Sequence, residues 1–508
     1  MRRDKNMKVR SFTVYDIYKR NATLFKQRVA IQSENEKVTF GELFDRANRV
    51  AGWLKGKGIR KGDRIAVLAK NDPQFFPLLG GIAATGAIMV PINFRLSPEE
   101  IGYNLTNTEP AMIVVDPDFE KVISDLRPSS TFLKTFVTFG TGGENYTPFS
   151  SLLKGEPVAP VEIEGDDPFI IMHTAAVQGK PRGAMISHHN LVFCTIQNIA
   201  LMGLTSEDSY LNILPLFHIA GMFGALVMMH VGGRNVMISK FDPKLAGKMI
   251  DQEKISLIGE FPPILLQILD EQAKGECTLI SLKNVLGIDM QETIKRFESL
   301  GVGQYWLVYG QTETMGLTSV CSNREKAGCA GKPGPLVNIK IVDEFDKEVE
   351  TGKVGEILVQ GPLVFLGYWG EEELSKHTFR EGWHHTGDSG RLDEEGYLWF
   401  AGRKAEKELI KPGGENVYPV EVEKVILEHT SVQEVSVIGV PDPKFGEGIK
   451  AVCVLKPNAK LSEKELIDFV AGKIARYKKP GYVQFVDGLP KKQDGSIDRP
   501  KVKELYGK

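Results

Sequence analysis

A chain of 508 residues is too long for one simple hydrophobic core, so it requires more than one domain or a multi-layered one. Its 42% hydrophobic and 25% charged content is that of an ordinary globular protein, and a formal net charge of −2 excludes the strongly basic footprint of a nucleic-acid binder. Cys194, Cys277, Cys321, Cys329 and Cys453 include no C-x-x-C pair, which predicts free thiols in a reducing compartment. The nine His show no metal-ligand spacing. Met1 to Asn6 lacks the apolar core of a signal peptide, so a cytoplasmic location is expected. Leu211 to Gly233 is uncharged but broken by Pro215, Gly221 and Gly224, and reads as a loop followed by a buried helix rather than a membrane span.

From the N-terminus, Phe12 to Ala30 has the pattern of an amphipathic helix. Val38 to Phe40 is a short strand, and Thr39 is placed to cap a helix over Gly41 to Lys57. A turn at Gly58 to Gly62 leads to a strand over Arg64 to Leu68. Helical patterns at Pro73 to Thr85 and Ser97 to Asn107 then alternate with strands at Ala87 to Pro91 and Ala111 to Val115. This alternation predicts a parallel sheet covered by helices. Lys121 to Glu164 is expected to be an irregular surface connection. Pro168 to Met172 is a buried strand, and Ser187 caps a helix through Phe193, Ile196 and Ala200. Between them lies His173 to Gly183, with Gly179 and Gly183 for close approach and Lys180 and Arg182 for positive charge. Strand, loop and helix in that order are a setting in which backbone N–H groups and a helix N-terminus collect phosphate; an ordinary basic βα turn is the alternative.

Further along, Gly355 to Pro362 is a strand with turn ends, and Trp383 to Asp388 places a carboxylate at an expected strand end. Arg403 to Glu408 is charged, follows a glycine and joins two differently patterned halves, as a hinge would. The tail is a small α+β unit. Its strands are expected at Glu434–Val440, Ala451–Leu455 and Tyr482–Val486, and its helices at Pro419–Glu428 and Ser462–Ile474.

In order along the chain, Val38-Thr-Phe-Gly-Glu-Leu43, Lys61-Gly-Asp-Arg-Ile-Ala-Val67, Gly86-Ala-Ile-Met-Val-Pro-Ile-Asn93, Pro215-Leu-Phe-His-Ile-Ala-Gly221, Tyr309-Gly-Gln-Thr-Glu313, Thr386-Gly-Asp388, Gly402-Arg403 and Lys411-Pro-Gly-Gly-Glu-Asn-Val-Tyr-Pro419 resemble the AMP-forming acyl-CoA synthetases of the adenylate-forming superfamily. The resemblance covers Phe12 to Ser496. It implies a large α/β N-terminal domain of layered sheets and helices, residues 1–402, and a small mobile α+β C-terminal domain, residues 403–508, with the hinge at about 403–408. It implies nucleotide contacts from Thr174, Gly179, Lys180, Arg182, Gly183, Gly287, Gly310 and Gln311, and adenine stacking on Tyr309. Thr312 would meet phosphate, and Glu313 would hold Mg²⁺. Asp388 would accept both ribose hydroxyls, with Arg403 opposite. His218 would sit where acyl group, adenylate and thiol converge, and Lys411, Gly413 and Gly414 where the pantetheine arm of CoA passes.

Three departures stand out. The family's T-S-G-T-T-G-x-P-K-G reads Thr174-Ala-Ala-Val-Gln-Gly-Lys-Pro-Arg-Gly183 here. Its G-G-A-P stretch keeps only Gly287. Its C-terminal L-P-x-x-x-x-G-K ends in Ser496 after Gly495. A missing preorganised donor of this kind costs about 10²–10³ in rate, so another cation is expected to take over; Lys492 is the choice over Lys491, Arg499 and Lys501. The pivot is Glu406 or Glu408. Forward and reverse adenylation share one transition state, so the missing lysine slows both and does not set direction.

The resulting expectation is an ATP-dependent ligase joining an apolar carboxylic acid, such as a fatty acid, to CoA through an acyl-adenylate, with release of AMP and pyrophosphate. Its partners would be ATP, Mg²⁺, CoA and the acid, with no nucleic acid, no transmembrane segment, and a homodimer as one allowed assembly. A catalytically weak nucleotide or acyl-CoA sensor and an adenylating enzyme for a non-CoA acceptor are the competing readings.

Overall fold

A computed structural model describes residues 10–177, 180–403, 409–492 and 496–507; for 175–177 and 180 it describes the backbone alone. Among these residues the strands form four sheets. The first has nine strands. Its parallel centre runs through Arg234–Met237, Ser209–Asn212, Leu257–Glu260, Asn284–Gly287 and Gln304–Tyr309. The second has eight strands and is parallel through Arg64–Leu68, Ile88–Pro91 and Met112–Val115. One continuous apolar core joins the two sheets, and every residue of the helix Phe75–Thr85 is buried in it. The helix Ile219–Val231 is nearly as apolar and also lies in that core, so neither apolar run is a membrane span. No helix among the described residues is long and apolar enough to cross a membrane.

A five-stranded antiparallel sheet follows, built on Asn338–Val342, Gly355–Gln360, Trp383–Leu392 and Leu398–Arg403. Residues after 409 form a three-stranded sheet with the helices Pro419–Leu427 and Glu463–Ala471 and a core of their own, from Ile410 to Val483. The chain therefore has a large layered α/β part and a small α+β part, as expected.

Local chemistry explains the boundaries. Thr39 and Glu42 form a reciprocal capping box at the start of the helix Phe40–Gly56, and Ser187 and Asn190 form another before His188–Met202. The first helix is shorter than its amphipathic pattern: it covers Val14–Leu24, and Val29–Gln32 is a strand parallel to Arg234–Met237. Ile31 and Gln32 pair with Asn235 and Val236, two hundred residues away, which local periodicity cannot register. Lys121 to Glu164 is not wholly irregular either; Thr135–Thr138 pairs parallel with Met112–Val115. A final helix, Arg499–Tyr506, is capped by Asp498 and was not expected.

The largest correction concerns His173 to Gly183. It is the turn region of a β-hairpin, not a strand–loop–helix. Pro168–Val177 pairs antiparallel with Lys180–Ser187, and the helix starts at His188, at the opposite end of the hairpin. Ala176 stands where the family has a glycine, and Val177 is a strong strand former, so both favour a continued strand. No helix N-terminus therefore serves this turn.

The small part docks on the large one through charge. Lys478, 3% exposed, pairs with Glu421 of its own part and with Glu100 on the helix Pro98–Thr108 of the large part; Arg95 pairs with Glu415 across the same boundary. Burial of Glu421 and its proximity to Glu100 make this carboxylate pair dependent on the shared ammonium. Removing one partner of a buried ion network costs about 3–5 kcal/mol. Lys478→Met is therefore expected to undock the small part, read as an increased radius of gyration in small-angle scattering. Adding Glu100→Gln and Glu421→Gln should restore compaction. An unchanged radius in Lys478→Met would show that the docking does not depend on this triad.

Candidate active site

The C-terminal ends of parallel strands converge on one crevice, the usual ligand position in an open α/β sheet. Leu214 and His218 follow one strand, and Phe261, Gly287 with Ile288, and Gly310 to Glu313 follow the next three. The second sheet adds Thr174 and Arg182, the five-stranded sheet adds Thr386 and Arg403, and the small part adds Lys411, Gly414, Asn416 and Tyr418. Together they line a cavity of about 130 Å³. A wider cleft of about 980 Å³ lies on the other side of Gly287, Ile288, Gly310, Arg403 and Lys411, and carries Asp388, Tyr309 and Lys492 on its walls.

Asp388 is 1% exposed and tightly held. Its Oδ2 accepts from the Tyr309 hydroxyl at 2.9 Å and from Gln311 Nε2 at 2.6 Å. Its Oδ1 accepts no hydrogen bond and faces Arg403 Nε at 3.3 Å. Burial, then the Asp388 charge, push the Tyr309 phenol well above its usual range, so it stays a donor. Asp388 is not at a strand end. It lies inside the strand Trp383–Leu392, directly opposite Arg403, which closes the strand Leu398–Arg403. Arg403 thus closes the last strand of the large part's sheet. Protein donors thus hold Oδ2, and Oδ1 lies against Arg403 without a hydrogen bond.

Glu313 follows on the short turn Thr312–Thr314. Its Oε1 accepts from the Tyr368 hydroxyl at 2.8 Å, and its other oxygen accepts no hydrogen bond among the described residues. Tyr368 in turn lies under the Arg182 guanidinium, 5.8 Å from the ring centroid. Thr174, Thr312 and Glu313 share the cavity wall, so hydroxyls and a carboxylate oxygen, the hard donors that suit Mg²⁺, stand together there.

His218 caps the helix Ile219–Val231: its Nδ1 accepts from the Ala220 N–H at 3.2 Å. That acceptor role requires the proton on Nε2. Burial, helped by the Lys411 and Arg95 charges, lowers its pKa to about 4, so the ring is neutral near pH 7. Lys411 is held down to about 8 by burial and then by the Arg403 charge.

The other expected residues divide. Gly287 and Gly310 lie at strand ends where a Cβ would meet backbone oxygen at 2.2 Å. At Gly183 a Cβ would lie 2.6 Å from Ile171, so packing inside the hairpin also requires a glycine there. Gly413 and Gly414 adopt positive φ, but the bare face of Gly414 is filled by the Phe261 ring, with a Cβ contact of 2.7 Å. In this pose Gly414 packs on Phe261 of the large part and also lines the cavity. Lys491, Arg499 and Lys501 are engaged with Glu434, Glu423 and Glu504, whereas Lys492 meets no carboxylate among the described residues and lines the wider cleft. Gly179, Gly495, Glu406 and Glu408, and the side chain of Lys180, lie outside the described residues. Tyr368, Phe261, Asn416 and Tyr418 were not foreseen. Only Asn416 and Tyr418 carried a signal, inside Lys411 to Pro419.

Residues 18–369 match the AMP-binding enzyme family, and residues 421–496 match the AMP-binding enzyme C-terminal domain. The chain is 32% identical over 499 residues to an indoleacetate–CoA ligase from Aromatoleum aromaticum, covering 96% of this chain and 97% of that protein. It is 31% identical over 535 residues to a long-chain-fatty-acid–CoA ligase from Bacillus subtilis, covering 97% and 94%. Its fold superposes on o-succinylbenzoate CoA synthetase from Bacillus subtilis, bound to a product analogue, with a TM-score of 0.85 at 28% identity over 97% of this chain and 98% of that one. The chain belongs to the AMP-binding enzyme family.

The Lys411 geometry predicts a pH dependence. Its ammonium is present below pH about 8 and is lost as pH rises through that value. Affinity for AMP, measured by calorimetry, is therefore expected to be level up to pH about 8 and to fall above it. Lys411→Arg keeps its charge at all these pH values and should remove the fall. A level wild-type profile to pH 9.5 would detach Lys411 from the anion.

Proposed function

We propose that this AMP-binding enzyme ligates a compact, mainly apolar carboxylic acid to coenzyme A through an acyl-adenylate. The chemistry has two halves. The acid's carboxylate attacks the α-phosphorus of ATP, forming the C–O–P link and expelling pyrophosphate. The CoA sulfur then attacks the acyl carbon, forming the thioester and expelling AMP. Splitting the reaction makes a poor acyl donor into a good one.

The observation that carries this reading is the single cavity shared by two chemistries. Thr174, Arg182, Thr312 and Glu313 offer it hydroxyls and charge; Leu214, Phe223, Leu286 and Leu317 offer it an apolar wall. Arg182 and Arg403 supply fixed positive charge for phosphate oxygens, and the open oxygen of Asp388 an acceptor for a ribose hydroxyl. Glu313, with the hydroxyls of Thr174 and Thr312, would hold Mg²⁺, which when bound neutralises charge on phosphate oxygens. His218, neutral and protonated on Nε2, is a hydrogen-bond donor that orients the acid; the same tautomer gives it no lone pair at Nε2 with which to take a thiol proton. The 130 Å³ cavity is the reason for naming a compact acid rather than a long-chain one: about 150 Å³ of apolar void suffices for benzene.

The small part presents Lys411 to Tyr418 to the cavity and Lys492 to the wider cleft. We read this as the thioester-forming pose, with Lys492 entering only when the small part swings to adenylate. The overall function is tested by release of pyrophosphate and AMP from ATP with a panel of carboxylic acids, with and without CoA. Acid-dependent pyrophosphate release and CoA-dependent thioester are expected; ATP and acid bound without either product would leave a sensor. For Lys492, single-turnover adenylation by Lys492→Ala should fall by about 10², while thioester formation from preformed acyl-adenylate survives. Parental adenylation in Lys492→Ala together with faster adenylation in Ser496→Lys would show that no cation has replaced the missing lysine.

A further inference from the structure

Two of the five cysteines stand together. Cys321, on the strand Ser319–Ser322, and Cys329 are buried free thiols with their sulfurs 3.2 Å apart. A disulfide needs about 2.0 Å, so a movement of about 1 Å would join them. The two thiols are not equivalent. Cys329 Sγ accepts from the Cys321 thiol and, at 3.3 Å, from the Gly331 N–H, and these donors hold its pKa down to about 7. Giving that hydrogen bond, together with burial, pushes the Cys321 thiol far up. Cys329 also lies on the wall of the wider cleft, with Gly328 and Ala330, facing the space that Tyr309 and Asp388 border. A small solute in that cleft meets Cys329 first. Burial pushes the thiols of Cys194, Cys277 and Cys453 up, the last two to about 11 and about 12, which leaves them protonated near pH 7. The thiolate is the nucleophile, so reactivity is concentrated at Cys329.

We propose that Cys321 and Cys329 form an oxidation site, converted by hydrogen peroxide to a disulfide that reshapes the wall of the nucleotide cleft. The Cys329 thiolate attacks one peroxide oxygen. An S–O bond forms, the O–O bond breaks, and the leaving hydroxide takes up the proton that Cys329 had released. The Cys321 sulfur then attacks the sulfenic sulfur. The S–S bond forms, the S–O bond breaks, and the hydroxyl leaves as a second water with the Cys321 proton. The thiol pair loses two electrons, and the peroxide is reduced to two waters. The required movement falls on the cleft side. Cys321 is fixed by its ladder with Leu307. Ala330 is fixed by donating to the Leu398 carbonyl at 2.7 Å and accepting from Ser319 Oγ at 2.6 Å. Gly331 is packed so closely that a Cβ would lie 2.5 Å from the Val320 nitrogen. The Cys329 N–H, by contrast, reaches only the Lys326 carbonyl at 3.5 Å, and Gly328 before it has a positive φ of 78°. Gly328 and Cys329 therefore move, and both are cleft wall.

The test treats the full-length protein with graded hydrogen peroxide, alkylates the remaining thiols and digests with trypsin in the absence of reductant. Cleavage after Arg324 and Lys326 separates the two cysteines, so the disulfide is read by mass as a linked pair of peptides that dithiothreitol parts. That pair is expected at lower peroxide than any change at Cys194, Cys277 or Cys453. Affinity for AMP, measured by calorimetry, should fall by about 10-fold in the oxidised protein and return on reduction. Cys321→Ser and Cys329→Ser, each compared with its own untreated form, should lose this reversible change. Absence of the linked pair at peroxide doses that oxidise the other three cysteines overturns the proposal. So does a fully linked protein that binds AMP like the reduced one, or a reversible fall that persists in either variant. The mass readout requires no ligase activity, and the AMP readout requires no acid or CoA, so both stand apart from the ligase reading.

Discussion

The site depends on one buried carboxylate. Asp388 sits in the five-stranded sheet, yet its partners come from two places: Tyr309 and Gln311 at a strand end of the nine-stranded sheet, and Arg403 beside it on the last strand before the small part. A carboxylate this far from water is tolerated only when hydrogen-bonded and paired. Satisfying it fixes the distance between two sheets and the point from which the chain leaves for the small part. The nearby Glu313 is treated differently: one oxygen is held by Tyr368 and the other left open. Structural and chemical duties are thus divided between two acids of neighbouring motifs.

Much of the architecture was legible because it is local. Strands such as Arg64–Leu68 and helices such as Phe40–Gly56 are marked by their own composition, glycine turns and capping boxes. What failed was what depends on distant pairing. Val29 and Ala30 read as the end of a helix until the strand Val29–Gln32 is set beside Arg234–Met237, and Thr135–Thr138 is too short to show alternation until Met112–Val115 supplies the ladder. The hairpin at His173 to Gly183 failed for another reason. The resemblance drew attention to the glycines that remain, whereas the antiparallel pairing of Pro168–Val177 with Lys180–Ser187 determines the backbone.

Within the site, the residues that carry ionic chemistry were visible as short motifs, and the residues that position them were not. Tyr368 holds Glu313 across 55 residues of chain, and Phe261 fills the face of Gly414 from another part of the molecule. Tyr210 shows the same for packing. Its sequence neighbours Ser209 and Leu211 mark only a strand, and its ring lies against the bare faces of Gly224 and Gly259, which no spacing rule connects to it. Motifs record what must contact a ligand shared by many proteins. The residues that select one acid sit where the fold happens to bring them, and have to be found from packing and unsatisfied polar atoms.

The two lysines of the small part suggest how its pose is balanced. Lys478 docks by a buried triad whose attraction is set against the desolvation of three charges, so the net gain is far smaller than the contacts imply. Lys411 opposes docking in the empty protein: burial beside Arg403 disfavours its charged form, as its lowered pKa records. An anion placed between Lys411 and Arg403 reverses that term and restores the ammonium. Such an anion binds the docked arrangement better than the undocked one, and by that difference alone shifts the equilibrium toward docking. A phosphate-bearing ligand therefore need not push the small part shut. It removes a repulsion between Lys411 and Arg403 that opposes docking, and its departure returns that repulsion.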